Sequence, residues 1–195
     1  MDPAANKEVL FVKHTNSLES VLRADGLLRA GAGRDVDILG VSNDSRHVHV
    51  GDLFICKGYG FKPEYLLMAQ RAGAVCYLSE EKYDACSLPA ILISDVRKAQ
   101  SLAARWFYDC PSDSLDLIGV TGTKGKTTTA YMIQAITNAI AGRPTGLSSS
   151  AGRYCGGPDV DTHLTTPESL DLQWLFAQAR DHGLHYMTAE VSSQA

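Results

Sequence analysis

Seven consecutive residues, Gly122-Thr123-Lys124-Gly125-Lys126-Thr127-Thr128, have the types and spacing that suit a polyphosphate. The two glycines admit positive φ and let the backbone close on a ligand with no Cβ in the way. Successive N–H groups in such a loop make an anion nest, and a helix that starts on it adds its positive end. Lys126 is spaced to reach β- and γ-phosphates, and the Thr127 hydroxyl is a hard oxygen of the kind Mg²⁺ accepts. The chemistry implied is capture of a nucleoside polyphosphate and neutralisation of its terminal phosphoryl group. The general phosphate-loop pattern asks for glycine at position 120, where this chain has Val120, with Gly119 one place earlier. The alternative is a glycine-rich turn with solvated lysines, but a turn alone has no use for a Lys-Thr pair opening a helix.

Such a loop works only between a buried strand and a helix, and the flanking sequence supplies both. Residues 115–120, LDLIGV, read as the strand, and residues 126–142, KTTTAYMIQAITNAIAG, as an amphipathic helix ending on glycine. A strand at PTGLSSS, a glycine-rich turn at AGRYCGGPD, a helix at LDLQWLFAQARDHG and a strand at LHYMTAEV follow. Three strands with two helices leave a parallel sheet short of cover, so either the last strand joins another body or, the favoured expectation, this is a piece of a longer enzyme. Upstream, residues 17–28 predict a helix capped by Ser17, and VDILGVSNDSR predicts one strand running into a polar turn. GDLFICKG, AVCYLSE and PAILISD predict strands, and helices are expected from Pro63 to Gly73 and after a capping Asp95. Strands alternate with helices, so the fold class is α/β. The Pro-, Ser- and Asp-rich break around Ser112 divides the chain into domains 1–112 and 113–195.

Composition narrows the function classes. With 45% hydrophobic and 21% charged residues, the 195-residue chain suits a globular protein and excludes disorder, collagen and coiled coil. A net charge of −4 with no Lys/Arg run argues against nucleic acid as a partner. Five cysteines, none in a CxxC pair, fit reduced thiols rather than a disulfide framework. No apolar run reaches the ~18 residues of a membrane span, and the acid-bearing start MDPAANKEVL lacks a signal layout. The expectation is a cytoplasmic monomer with no membrane contact. His47 and His49 lack an evident third metal ligand, and Trp106, Trp174 and the Leu170, Leu172, Leu175, Phe176 stripe read as core.

The stretch VTGTKGKTTT resembles the ATP loop of the Mur ligases, cytoplasmic enzymes that build the peptide of bacterial peptidoglycan precursors. The usual family loop reads TGTNGKT, so Lys124 adds a cation where Asn is common. Further stretches resemble the branch that adds the third amino acid, the UDP-N-acetylmuramoyl-tripeptide synthetases. NDSRHVHVGDLFICKG resembles its uridine-site signature, which implies substrate roles for Asn43, Ser45, Tyr59, Gly60 and Phe61. From the residues alone, an ordinary Asp-Ser turn with Arg46 paired to Asp44 or Asp52 is the alternative. HLTTPES resembles the segment that contacts the muramoyl peptide, implying that role for Thr165 and Thr166. The same residues also suit a helix start, with Thr166 as cap and Pro167 in the first turn. AEVSSQA resembles the family's EVSSH segment, implying that Glu190 ligates Mg²⁺ and Ser192 contacts substrate; a surface strand-end acid is the alternative. Gln194 replaces the more usual His.

The resemblance implies a small N-terminal α/β uridine-binding domain followed by the first part of a P-loop-type parallel-sheet ATP domain. On that resemblance, none of the family's C-terminal, amino-acid-selecting domain is expected within these 195 residues. The implied activity is ATP- and Mg²⁺-dependent ligation of L-lysine or meso-diaminopimelate to UDP-MurNAc-L-Ala-D-Glu through an acyl phosphate, with Lys126 catalytic. A non-catalytic uridine-nucleotide-binding module and another ligase of the same superfamily are the competing readings.

Overall fold

The computed structural model describes residues 12–58, 60–157 and 167–192. They form an α/β structure in two compact units, Met1–Phe107 and Tyr108–Ala195. The break at Ser112 falls inside a 3₁₀ turn, Pro111–Ser114, that belongs to the second unit.

The first unit is built on a five-stranded sheet. Its strands are β2 (Leu28–Ala30), β4 (Gly40–Ser42), β5 (Asp52–Ile55), β6 (Cys76–Ser79) and β7 (Ala90–Ile93), in the order β2-β7-β6-β5-β4. Strands β4 to β7 run parallel, and β2 closes the edge antiparallel to β7. A separate two-stranded ladder joins β1 (Lys13–His14) to β3 (Asp37–Ile38). Helices α1 (Thr15–Ala24), α2 (Pro63–Ala72) and α3 (Val96–Phe107) complete the unit. The central runs β5 to β7 are short, mostly apolar and rich in Ile and Leu, and β5 and β6 are buried throughout. Asp95 caps α3 as expected, its Oδ1 accepting from the N–H groups of Arg97 and Lys98. Burial pushes the thiols of Cys56 and Cys76 up to about 12, so near neutral pH they are uncharged packing groups. All five cysteines are free.

Three local expectations give way here. Helix α1 starts at Thr15, two residues before Ser17, because Thr15 Oγ1 bonds Asp35 Oδ1 and accepts from Val36 N–H. Ser17 instead donates to the His14 carbonyl and accepts from Trp106 Nε1. The helix ends at Ala24, and Leu28 opens β2. The single strand expected over residues 36–46 is two, β3 and β4, in different sheets.

The second unit holds a four-stranded sheet of β8 (Asp116–Val120), β9 (Gly146–Ser148), β10 (Arg153–Tyr154) and β11 (Tyr186–Glu190), ordered β10-β9-β11-β8. Strands β9, β11 and β8 are parallel; β10, expected to be turn, pairs antiparallel with β9. Helices are α4 (Lys126–Ala141) and α5 (Ser169–Asp181). Val120, Leu147, Ala130 and Ile133 form one small core cluster, where α4 meets the sheet. Met187, Leu115 and Cys155 pack with Leu175, Phe176 and Ala179 of α5 in another. Among the described residues β8 pairs on one side only, and Met132, Ile136 and Ile140 of α4 are more than half exposed.

Candidate functional site

Strand β8 delivers the chain to the loop at Val120, which is buried. Beside it, β11 ends in register, with Glu190 opposite Val120, and the Val191 N–H donates to the Val120 carbonyl at 2.9 Å. Glu190 therefore stands at the carboxyl end of two parallel strands, next to the start of the loop, a frequent place for ligand-facing groups in open α/β sheets. It is 1% exposed, which excludes the surface strand-end acid.

The loop turns on its two glycines. Gly122 has φ +151° and Gly125 has φ +77°, conformations that L side chains rarely adopt. Gly125 is the N-cap of α4, and the first helical bond runs from Thr129 N–H to its carbonyl at 2.9 Å. The N–H groups of the first turn, from Lys126 to Thr128, have no acceptor within their own helix. With the helix dipole behind them, they make a region of positive potential that has no need of side chains. Lys126 curls over the loop, Nζ donating to the Gly122 carbonyl at 3.0 Å. Thr127 Oγ1 lies 3.0 Å from Ser150 Oγ. Thr123, Lys124 and Thr128 are exposed.

Of the residues expected to act together, the fold thus brings Gly122, Gly125, Lys126, Thr127 and Glu190 to one end of one sheet. Thr127 and Glu190 offer a hydroxyl and a carboxylate, hard oxygens without nitrogen or sulfur, which fits Mg²⁺. Ser192 follows Glu190 and is half-buried. Thr165, Thr166 and Gln194 lie outside the described residues. The α5 N-cap is Glu168, so Pro167 stands before the first turn of this helix, and the expected Thr166 cap falls outside the described residues. Sequence reading missed Ser149, Ser150 and Arg153. The Ser148-Ser149-Ser150 run was the available signal. Arg153 is buried, and desolvation lowers its guanidinium pKa while Asp171 works against that shift.

The second candidate region lies in the first unit. Asp44 accepts from Arg46 Nη2 at 2.6 Å and from Nε at 2.9 Å, so the pairing expected with Asp44 or Asp52 is made to Asp44. These bonds hold the Asp44 carboxyl well below the usual carboxylate range. His47 sits 3.4 Å from the same carboxylate, and the buried Asp52 accepts from His49 N–H. Ser45 is half-buried beside this turn, after Asn43. Gly60 is exposed, and Tyr59 lies outside the described residues. Phe61 is half-buried in an aromatic cluster, with ring centroids 5.7 Å from Tyr83, 6.2 Å from Tyr65 and 6.5 Å from Phe54. Packing there restrains the loop that follows β5.

Residues 120–195 match the Mur ligase middle domain. The chain is 42% identical over 187 residues to a UDP-N-acetylmuramyl-tripeptide synthetase of Lactobacillus delbrueckii subsp. bulgaricus, covering 92% of this chain and 36% of that protein. It is 43% identical over 155 residues to a UDP-N-acetylmuramoyl-L-alanyl-D-glutamate–L-lysine ligase of Streptococcus thermophilus, covering 80% and 32%. A solved UDP-N-acetylmuramoyl-L-alanyl-D-glutamate–2,6-diaminopimelate ligase superposes with a TM-score of 0.65 at 24% identity, over 81% of this chain and 32% of that one. The chain spans about a third of the length of these relatives.

Proposed function

We propose that this chain, whose residues 120–195 match the Mur ligase middle domain, supplies the nucleotide cradle and uridine-binding portion of a third-amino-acid ligase of that family. The observation that carries the reading is the loop between β8 and α4, where two positive-φ glycines lead into the helix-start amides and Lys126 folds back onto the Gly122 carbonyl. In this reading ATP is the cosubstrate and the protein acts in the cytoplasm; the likeness to the family supports both. In this reading the D-glutamate carboxylate of UDP-MurNAc-L-Ala-D-Glu attacks the γ-phosphorus, giving an acyl phosphate and ADP. The amine of L-lysine or meso-diaminopimelate then displaces inorganic phosphate and forms the amide. The first-turn amides and Lys126 bind and orient the phosphates, and Lys126 faces the charge that builds on the transferring group. Thr127 and Glu190 would hold Mg²⁺, which when bound neutralises phosphate charge. Residues 1–112, with Asn43, Ser45, Tyr59, Gly60 and Phe61, receive the uridine end. Thr165, Thr166 and Ser192 meet the muramoyl peptide.

Calorimetric titration of Mg·ATP and of UDP, each into the chain, tests this. Both should bind, and Lys126→Ala should abolish the Mg·ATP heat while leaving the UDP heat. Mg·ATP binding as tight in Lys126→Ala as in the wild type would exclude Lys126 from phosphate binding. UDP binding without Mg·ATP binding favours the second reading, a uridine-nucleotide module.

A further inference from the structure

We propose that Ser150 is a positioning residue for the metal-binding hydroxyl of Thr127, taking its proton so that its lone pairs face the cation. The inference rests on the nucleotide-cradle reading and goes beyond it. Thr127 sits in the first turn of α4, and Ser150 lies 23 residues later, just past β9. Their hydroxyl oxygens are 3.0 Å apart, and among the described residues Thr127 Oγ1 has no other hydrogen-bond partner.

A hydroxyl carries one proton and two lone pairs. If Ser150 donates, one Thr127 lone pair is occupied. If Thr127 donates, both remain available to a cation. A bound divalent ion draws electron density from the threonine oxygen and makes its proton the better donor, so the metal-loaded state selects the second direction. Ser150 then acts as an outer partner of the metal, fixing the orientation of a ligand it supports.

The turn that carries Ser150 is built for a fixed position. Ser149 is fully buried; its Oγ donates to the Gly152 carbonyl at 3.0 Å and accepts from the N–H groups of Ala151 and Gly152 at 3.2 Å each. Its own N–H donates to the same carbonyl at 3.0 Å. Strand β9 pairs with β11, the strand that ends on Glu190. One sheet thus sets the registers of Glu190 and, through β9, of the Ser150 turn. The two proposed metal donors are tied to a common frame even though one of them stands on a helix. Ser150 itself is exposed, so its substitution removes a hydroxyl without opening a cavity.

The test uses the 195-residue chain, Mn²⁺ as the probe and a non-hydrolysable ATP analogue, with Mn²⁺ occupancy read by electron paramagnetic resonance. Mn²⁺ takes the same hard oxygen donors as Mg²⁺. Ser150→Ala should raise the Mn²⁺ concentration for half-saturation by ~10-fold, the low end for loss of an outer partner. Ser150→Thr, which restores a hydroxyl, should return it to the wild-type value. Analogue affinity in EDTA and the melting temperature should be the same in all three proteins. An unchanged Mn²⁺ half-saturation in Ser150→Ala overturns the role of Ser150 and leaves the cradle standing. Equal weakening of metal-free and metal-dependent binding also overturns it, since that marks a purely structural contact. A wild-type chain that takes up neither analogue nor Mn²⁺ overturns both readings.

Discussion

At the scale of single residues, backbone conformation decides more than side-chain identity. Gly125 holds φ +77° where the loop becomes helix α4, with nothing within 4 Å of the place a Cβ would take. Space is therefore not the constraint; conformation is. An L side chain in the left-handed region costs about 1–2 kcal/mol. Gly125→Ala should lower the stability of the second unit by about that amount in urea unfolding, and should weaken Mg·ATP binding as the loop relaxes. The partner of Lys126 is equally local, since the Gly122 carbonyl lies four residues back. That is why a seven-residue window sufficed to pick out the loop. Ser150 was not legible in the same way, because its contact spans 23 residues and depends on how β9 pairs. Spacing rules describe neighbours along a helix or strand and do not reach contacts between separate elements.

At the scale of elements, the helices and strands flanking the loop were readable because apolar periodicity and terminal glycine or proline agree there. The misreadings came where a distant group captures a local signal. Ser17 is a good capping residue by type, yet Thr15 takes the helix start because Asp35 and Val36 return to meet it. Strand β10 is two residues long and, among the described residues, pairs with β9 alone. Helix α4 also shows what its sequence does not settle, namely how much of its apolar surface is covered. Ala130 and Ile133 pack toward Leu147, while Ile136 is 60% exposed. Ile136→Lys should therefore change stability by no more than about 0.5 kcal/mol. Leu147→Ala, on the covered side, should cost about 2–5 kcal/mol. Paired urea titrations check the contrast, and equal effects would show that the exposure of Ile136 is misassigned.

At the scale of the whole molecule, each unit has its own energetics. In the first, the Asp44–Arg46 pair couples stability to acid. The Asp44 pKa is depressed by folding, so its contribution is fully present above the unfolded value of about 3.9. It fades as pH falls from there toward the lower folded value. Asp44→Asn should destabilise the unit at pH 7, and the gap from wild type should narrow between about pH 4 and pH 2. Urea midpoints at several pH values measure this; a constant gap would show that the pair does not titrate with folding. In the second unit, the strand that feeds the loop is also the edge of its sheet, and among the described residues no strand pairs with its outer side. Elements of the α/β class were legible from alternation alone, whereas strand order was not, since order depends on which strands meet in space.

The bond from Lys126 to the Gly122 carbonyl has a thermodynamic consequence for ligand capture. A free lysine surrenders about 1.5–2 kcal/mol of rotamer freedom when it is pinned. Here much of that surrender precedes any encounter, so an incoming anion meets an ammonium already rehearsed in a curled pose and needs only to replace one oxygen with another. The exchange has its own drag, because the carbonyl competes for the same protons. Capture should accordingly be governed by a swap of partners over a short distance, rather than by a long arm searching through solvent.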